Sequence, residues 1–230
     1  MCGRFYVDDE VARQIEKIAR KIERETASGD GVPSSEIRML LSGAGMPVGY
    51  KGDVHPSEEA WVLTASAGVT ARRLKWGYVF SGRNAASERT GKTTGVIFNA
   101  RSETVREKRM FREDFENRRC VIPAGKFYEW KHGGRGEREK YDFYRPSQLL
   151  YLAGVFHRDP EGDRFTVLTR EAVGCMLGIH DRMPLLLERE EVEEWLFDRR
   201  AAGRLLERAP VKLERKKSGG EDYSQLSLFS

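Results

Sequence analysis

The chain has 230 residues, 39% hydrophobic and 33% charged, with a formal net charge of +4. This length and balance fit one globular domain with a sizeable core and a short tail, and exclude a fibrous or wholly disordered chain. No apolar run approaches a bilayer span and no hydrophobic signal segment opens the chain, so the expectation is a soluble cytoplasmic protein with no membrane partner.

Residues 1–7, MCGRFYV, read as a short strand with a thiol at the second position. From Asp8 to Thr26 the pattern turns helical: Val11, Ile15, Ile18 and Ile22 share one face, and Asp8 or Asp9 can cap the first turn. SGDGVPSS at 28–35 is a turn-rich connection. Strand candidates follow at 61–67, 74–80, 94–98, 119–123, 126–131, 149–156 and 164–169, and helical patterns at about 103–117 and 188–208. Strands with interspersed helices and no regular alternation predict an α+β domain rather than a doubly wound sheet. KHGGRGEREK at 131–140 reads as a basic hairpin loop between two aromatic strands. From Glu214 the composition becomes linker-like and ends in QLSLFS, which divides the chain into a domain at 1–213 and a tail at 214–230.

Cys2, Cys120 and Cys175 lack CxxC spacing, and His55, His132, His157 and His180 are scattered. Neither a disulfide framework nor a metal centre is indicated, and no cofactor is expected. Gly91-Lys92-Thr93 imitates the end of a phosphate loop, but Ala86 stands where its first glycine is needed.

Cys2 carries the strongest chemical clue. Removal of Met1 leaves an α-amine, of pKa about 7.7–8, beside a thiol on one residue. An amine attacks an aldehyde to give an imine, and the adjacent thiol can close a thiazolidine ring. Alone, Cys2 reads first as a small buried strand residue. Three further segments change that weighting: FNARSET at 98–104, RRCVIPAGKFYEW at 118–130 and HDRMP at 180–184. With MCGRF, and in this order, they resemble the SRAP family, named for an SOS-response-associated peptidase, from Met1 to about Phe197.

The resemblance implies a twisted, mixed or antiparallel β-barrel-like core flanked by helices, with a basic groove across the site. It implies that Cys2 bonds the aldehyde carbon of a ring-opened abasic deoxyribose in single-stranded DNA, shielding the lesion. Asn99 would hold the terminal residue and the sugar, Glu129 would shuttle protons, and His180 would protonate the sugar ring oxygen. Arg4 and Arg101 would hold the flanking phosphates. These residue types suit the chemistry, since imine formation needs both a proton acceptor and a proton donor. Each also has a plain structural reading, Glu129 as the solvent-facing member of an alternating strand, His180 as a turn cap and Asn99 as a turn residue.

Arg72, Arg73 and Lys75 before Trp76, and Arg118 and Arg119 before Cys120, interleave bases with aromatic or apolar residues as single-strand binders do, with Trp76 a candidate stacking surface. YVFSGR after Trp76-Gly77 and the HPSE segment at 55–58 depart from the family pattern, which bears on the DNA-wedging loop. Gln225-Leu226-Ser227-Leu228-Phe229 resembles the peptide by which bacterial repair proteins dock on the sliding clamp, with Gln225, Leu228 and Phe229 as anchors and a bacterial-type, nucleoid-associated host implied. A monomer is expected. Two other functions remain open at this point: a cysteine (auto)peptidase pairing Cys2 with His180, and a noncovalent single-strand-binding module.

Overall fold

Runs rich in Val, Leu, Ile, Phe and Tyr, too short for helices and bounded by turns, form the strands of two sheets and a hairpin. The computed structural model describes residues 3–13, 15, 17, 52–66, 68–82, 93–134 and 137–218. The first sheet has the order β15 (Glu214–Lys217), β10 (Arg138–Tyr144), β9 (Lys126–His132), β1 (Phe5–Val7), β2 (Gly52–Val54). All its pairings are antiparallel.

The second sheet runs β13 (Arg182–Pro184), β12 (Arg164–Glu171), β4 (Val69–Trp76), β3 (Glu59–Ala65), β8 (Arg119–Ala124), β11 (Leu150–His157), β14 (Leu186–Leu187). β7 (Asn99–Arg101) joins it on β12, and β11 also pairs with β12. Following β12, β4, β3, β8 and β11 therefore leads back to β12. The parallel contact between β4 and β12 covers only Lys75 and Trp76, so the sheet is ring-like without closing along its whole length. The hairpin β5 (Tyr78–Gly82) and β6 (Thr93–Ile97) stands apart as a third, two-stranded unit. The fold is α+β, with the sheets dominating.

Core side chains line the inside of this ring and the space between the sheets. β8 is buried at every position, which is why CVIPA after Arg119 reads as a continuous apolar run instead of an alternation. Phe127 and Phe143 stack at 5.1 Å within the first sheet. Trp76 is 0% exposed: it stacks on Phe165 at 6.0 Å, touches Phe5 at 5.1 Å and donates its indole N–H to the Phe98 carbonyl at 2.8 Å.

Several expectations change in detail. The predicted strand 74–80 is divided at Gly77, whose φ of +117° is left-handed territory open to glycine, so β4 ends and β5 begins there. The pattern at 103–117 becomes a series of turns followed by the helix Arg109–Asn117. The 188–208 pattern is two helices, Glu191–Phe197 and Arg199–Leu205, parted by an extended Asp198 whose carboxylate accepts from the Arg200 and Ala201 N–H groups. A helix does begin at residue 9. The expected boundary after residue 213 also moves: β15 pairs with β10 from Tyr141 to Tyr144, so the sheet extends through Lys217.

Candidate functional site

β9 is the strand on which the site is organised. Its central residue, Glu129, lies opposite Tyr141 of β10 and is only 3% exposed. On the other edge of β9 runs β1, in antiparallel register Phe5 to Phe127 and Tyr6 to Lys126. The Tyr128 N–H donates to the Arg4 carbonyl at 3.0 Å, which carries the pairing beyond the strand and brings Gly3 level with Glu129. Cys2 is the next residue in sequence and lies outside the described residues.

Glu129 is not the exposed member of an alternating strand, because both faces of β9 are covered here: Tyr128 is buried as well, and Trp130 half-buried. Burial pushes the Glu129 carboxyl up to about 7, working against the positive charge at the chain's N-terminus, and Asp181 adds a smaller push upward. A carboxyl poised near neutral pH can give or take a proton, which suits an acid–base role.

His180 sits in the loop that follows the 3₁₀ turn Gly174–Met176. Its pKa is lowered, first by burial and then by the N-terminal charge, with Asp181 opposing. Its Nδ1 accepts the Arg182 N–H at 2.9 Å and lies 2.7 Å from an Asp181 carboxylate oxygen. These two contacts belong to different protonation states. The neutral ring accepts from Arg182 and carries its proton on Nε2, whereas the imidazolium pairs with Asp181. Glu129 and His180 thus feel the same two charges, the N-terminus and Asp181, which ties them electrostatically into one site.

Asn99 opens β7, buried and opposite Val167 of β12. Its position is set by Phe98, whose carbonyl receives both the Trp76 indole and the Val167 N–H. Trp76 therefore links Asn99's strand to Phe5 of β1. Arg101, two residues on, shares the strand face of Asn99. It is exposed, and no ion pair engages it among the described residues. With His180, Asp181 and Arg182 it lines a groove of about 690 Å³.

Arg4 reaches Asp53 at 3.2 Å and lies over the Trp130 ring at 5.2 Å, placing a cation beside the β1–β9 seam. The expectation that Trp76 offers a stacking surface is corrected, since a fully buried indole cannot receive a base. The arginine clusters are likewise spent within the fold. Arg72 pairs with Asp163 at 2.6 Å, Arg73 with Glu59, and Arg118 with Asp114 and with Glu113 at 2.8 Å. Arg119 is buried and caps helix carbonyls, including that of Phe115 at 2.7 Å. Gln225, Leu228 and Phe229 lie outside the described residues.

One pair escaped the sequence reading. Arg182 grips Glu103 with two bonds of 2.8 and 2.7 Å and donates to the Thr169 carbonyl at 2.6 Å. Burial opposes ionisation of Glu103, but the Arg182 bonds prevail and hold its carboxyl below the usual range. This clamp fastens the HDRMP loop to the FNARSET segment. The only signal for it was that each motif carries an unassigned charge of opposite sign. Among the described residues no group of three or more His, Cys, Asp and Glu is placed to hold a metal, and no helix is long and apolar enough to cross a membrane.

The family model for SOS response associated peptidase (SRAP) matches residues 1–217. The chain belongs to the SRAP family. This SRAP chain is 30% identical over 203 residues to the abasic site processing protein YoqW of Bacillus subtilis, an alignment covering 85% of this chain and 80% of the relative. It is 31% identical over 104 residues to the abasic site processing protein YedK of Escherichia coli, covering 44% and 47%. To the abasic site processing protein HMCES of Xenopus tropicalis it is 32% identical over 149 residues, covering 54% and 44%. A solved protein from Bacteroides thetaiotaomicron shares the SRAP chain's fold with a TM-score of 0.65 at 22% identity, covering 94% and 91% of the two chains. A phage-related protein from Bordetella bronchiseptica does so at 0.62 and 21%, covering 96% and 95%.

Proposed function

We propose that this SRAP protein processes abasic sites in DNA, capturing them in single strands as a thiazolidine formed by the amine and thiol of Cys2 after Met1 is removed. The observation that carries the reading is Glu129: a buried carboxyl with a pKa of about 7, on the strand that pairs with the N-terminal segment. A protein with no chemistry at its N-terminus has little reason to keep an ionisable carboxyl in an apolar strand at that point. The names of the relatives point to the same lesion.

The steps follow from the residues. The abasic sugar rests mainly as a cyclic hemiacetal. His180, as the imidazolium paired with Asp181, gives its Nε2 proton to the ring oxygen and then takes up the proton of the anomeric hydroxyl, and the ring opens to the aldehyde. Glu129 takes a proton from the Cys2 ammonium, the freed amine adds to the aldehyde carbon, and Glu129 returns the proton to the hydroxyl that departs as water. The Cys2 thiol then adds to the imine carbon and closes the ring, so the adduct forms with net loss of one water. Asn99 donates and accepts at once, which suits holding the open sugar. Arg101 supplies a cation for the adjoining phosphate. Ring closure also removes the imine from which β-elimination would cut the strand.

The test is the intact mass of the protein with its native N-terminus after reaction with an oligonucleotide carrying one abasic site, followed by denaturation. Wild type is expected at protein plus oligonucleotide minus water, and Cys2→Ala is expected to remain unmodified. Absence of adduct from protein whose mass shows Met1 removed would sink the proposal.

A further inference from the structure

The groove that holds His180 and Arg101 has one large apolar side chain facing solvent, Leu177, which is 62% exposed. An isolated exposed leucine carries no message by itself. This one is held by an unusually determined turn. Met176 is buried beneath it, Gly174 and Gly178 on either side have φ of +58° and +77°, and the Leu177 N–H donates to the Gly174 carbonyl at 3.2 Å. Arg215 of β15 braces the turn from outside by donating to the Cys175 carbonyl at 2.9 Å. Three residues later the same loop delivers His180. The turn thus presents an apolar group at a fixed place beside the proposed acid and the phosphate-binding arginine. Charge does not select the occupant, because Arg182 is already bound to Glu103 and the groove sets Glu171 and Asp181 beside Arg101.

An abasic site supplies a matching surface. Where a base is missing, the neighbouring base loses its stacking partner and turns an apolar face toward the gap. Apolar side chains that enter base steps recover that contact. We propose that Leu177 covers the face of the nucleobase adjacent to the abasic sugar, occupying the space of the missing base. The inference rests on the abasic-site reading and deepens it, since it gives the protein a means to prefer a single gap in an otherwise normal strand. Intact strand would resist insertion, and a strand of baseless sugars alone would offer nothing to cover.

The experiment uses oligonucleotides with the tetrahydrofuran analogue of the abasic sugar, which has no aldehyde and forms no adduct, with binding read by fluorescence anisotropy. One oligonucleotide carries a single analogue between normal nucleotides, and the other is built of the analogue throughout and has no base. Leu177→Ala is expected to weaken binding to the first about fivefold and leave the second within about twofold of wild type. Leu177→Met, unbranched but of similar volume, is expected to restore most of the loss. An equal loss on both oligonucleotides, or no loss on either, would overturn the proposal. A missing contrast counts against Leu177 alone, whereas a missing adduct on a true abasic site counts against capture alone. Truncation of so exposed a side chain leaves the fold intact, which the far-ultraviolet spectrum of each variant checks.

Discussion

At the scale of single residues, Glu129 carries the most testable consequences, because burial both tunes it and makes it costly. Its folded pKa of about 7 lies above the ordinary 4.5, so between those values the folded state keeps a proton that the unfolded chain has released. Stability contributed by the protonated form is present below about pH 4.5 and is lost as pH rises through 7, to a total of about 3 kcal/mol. Glu129→Gln imitates the protonated state at every pH. It is expected to match wild type near pH 4.5 and exceed it in denaturant midpoint at pH 8, while adduct formation slows about 10²- to 10⁴-fold. A variant no more stable at pH 8, or one that still forms adduct at the wild-type rate, would remove Glu129 from the mechanism. The ordered motifs nominate Glu129, Asn99 and His180 as candidates, but their environments were not legible in the sequence. Alternation of Tyr128, Glu129 and Trp130 suggests an exposed carboxylate, and only the covering of both faces of β9 shows a buried one. Trp76 fails in the opposite sense: basic neighbours suggest a surface aromatic, yet the strand alternates so that Arg73 and Lys75 face out and Trp76 faces in.

At the scale of elements, most strands and helices were readable because their signals are local, while their breaks depend on contacts across the chain. Asp198 interrupts a helical pattern that runs straight through it, and Gly77 splits a strand whose residues on both sides favour extension. Gly154 shows how tightly these elements then pack. β11 lies between β8 and β12, with Gly154 opposite Cys120 on one side and Val167 on the other. A Cβ there would come within 2.7 Å of the Ile122 side chain and 2.8 Å of the Thr166 carbonyl. The carbonyl is backbone in a ladder and cannot move away as a side-chain tip can. Gly154→Ala is therefore expected to cost about 1–3 kcal/mol in urea denaturation, in spite of alanine's lower unfolded-state entropy. Unchanged stability would mean that the β8–β11–β12 sandwich yields more than its packing suggests. Lying in the core rather than at the site, the substitution should leave adduct formation by the folded fraction unaltered.

At the scale of the whole molecule, the order of strands was beyond sequence reading, because each partner is chosen by a surface elsewhere in the chain. β1 pairs with β2 and with β9, whose residues follow it by about fifty and about one hundred and twenty positions, and no local pattern announces either choice. Those pairings nevertheless decide how the chemistry is placed. Held by β2 from Phe5 to Val7 and by β9 at Phe5 and Tyr6, β1 continues through Arg4, whose carbonyl accepts from the Tyr128 N–H, and so brings Gly3 along β9 toward Glu129. Folding requires only β1, whereas capture requires the amine itself, and this separates the two. An uncleavable extension before Cys2 turns the amine into an amide and leaves only the thiol, whose addition to an aldehyde is reversible and forms no ring. Such a protein is expected to bind the tetrahydrofuran oligonucleotide within about twofold of wild type, since its anchoring strand and Arg101 are unchanged. It is also expected to show no heat-stable adduct with a true abasic site, whereas the same extension at the C-terminus should leave adduct formation intact. An adduct that persists behind a blocked N-terminus would transfer the bond from Cys2 to a lysine and dissociate the register of β1 from the chemistry.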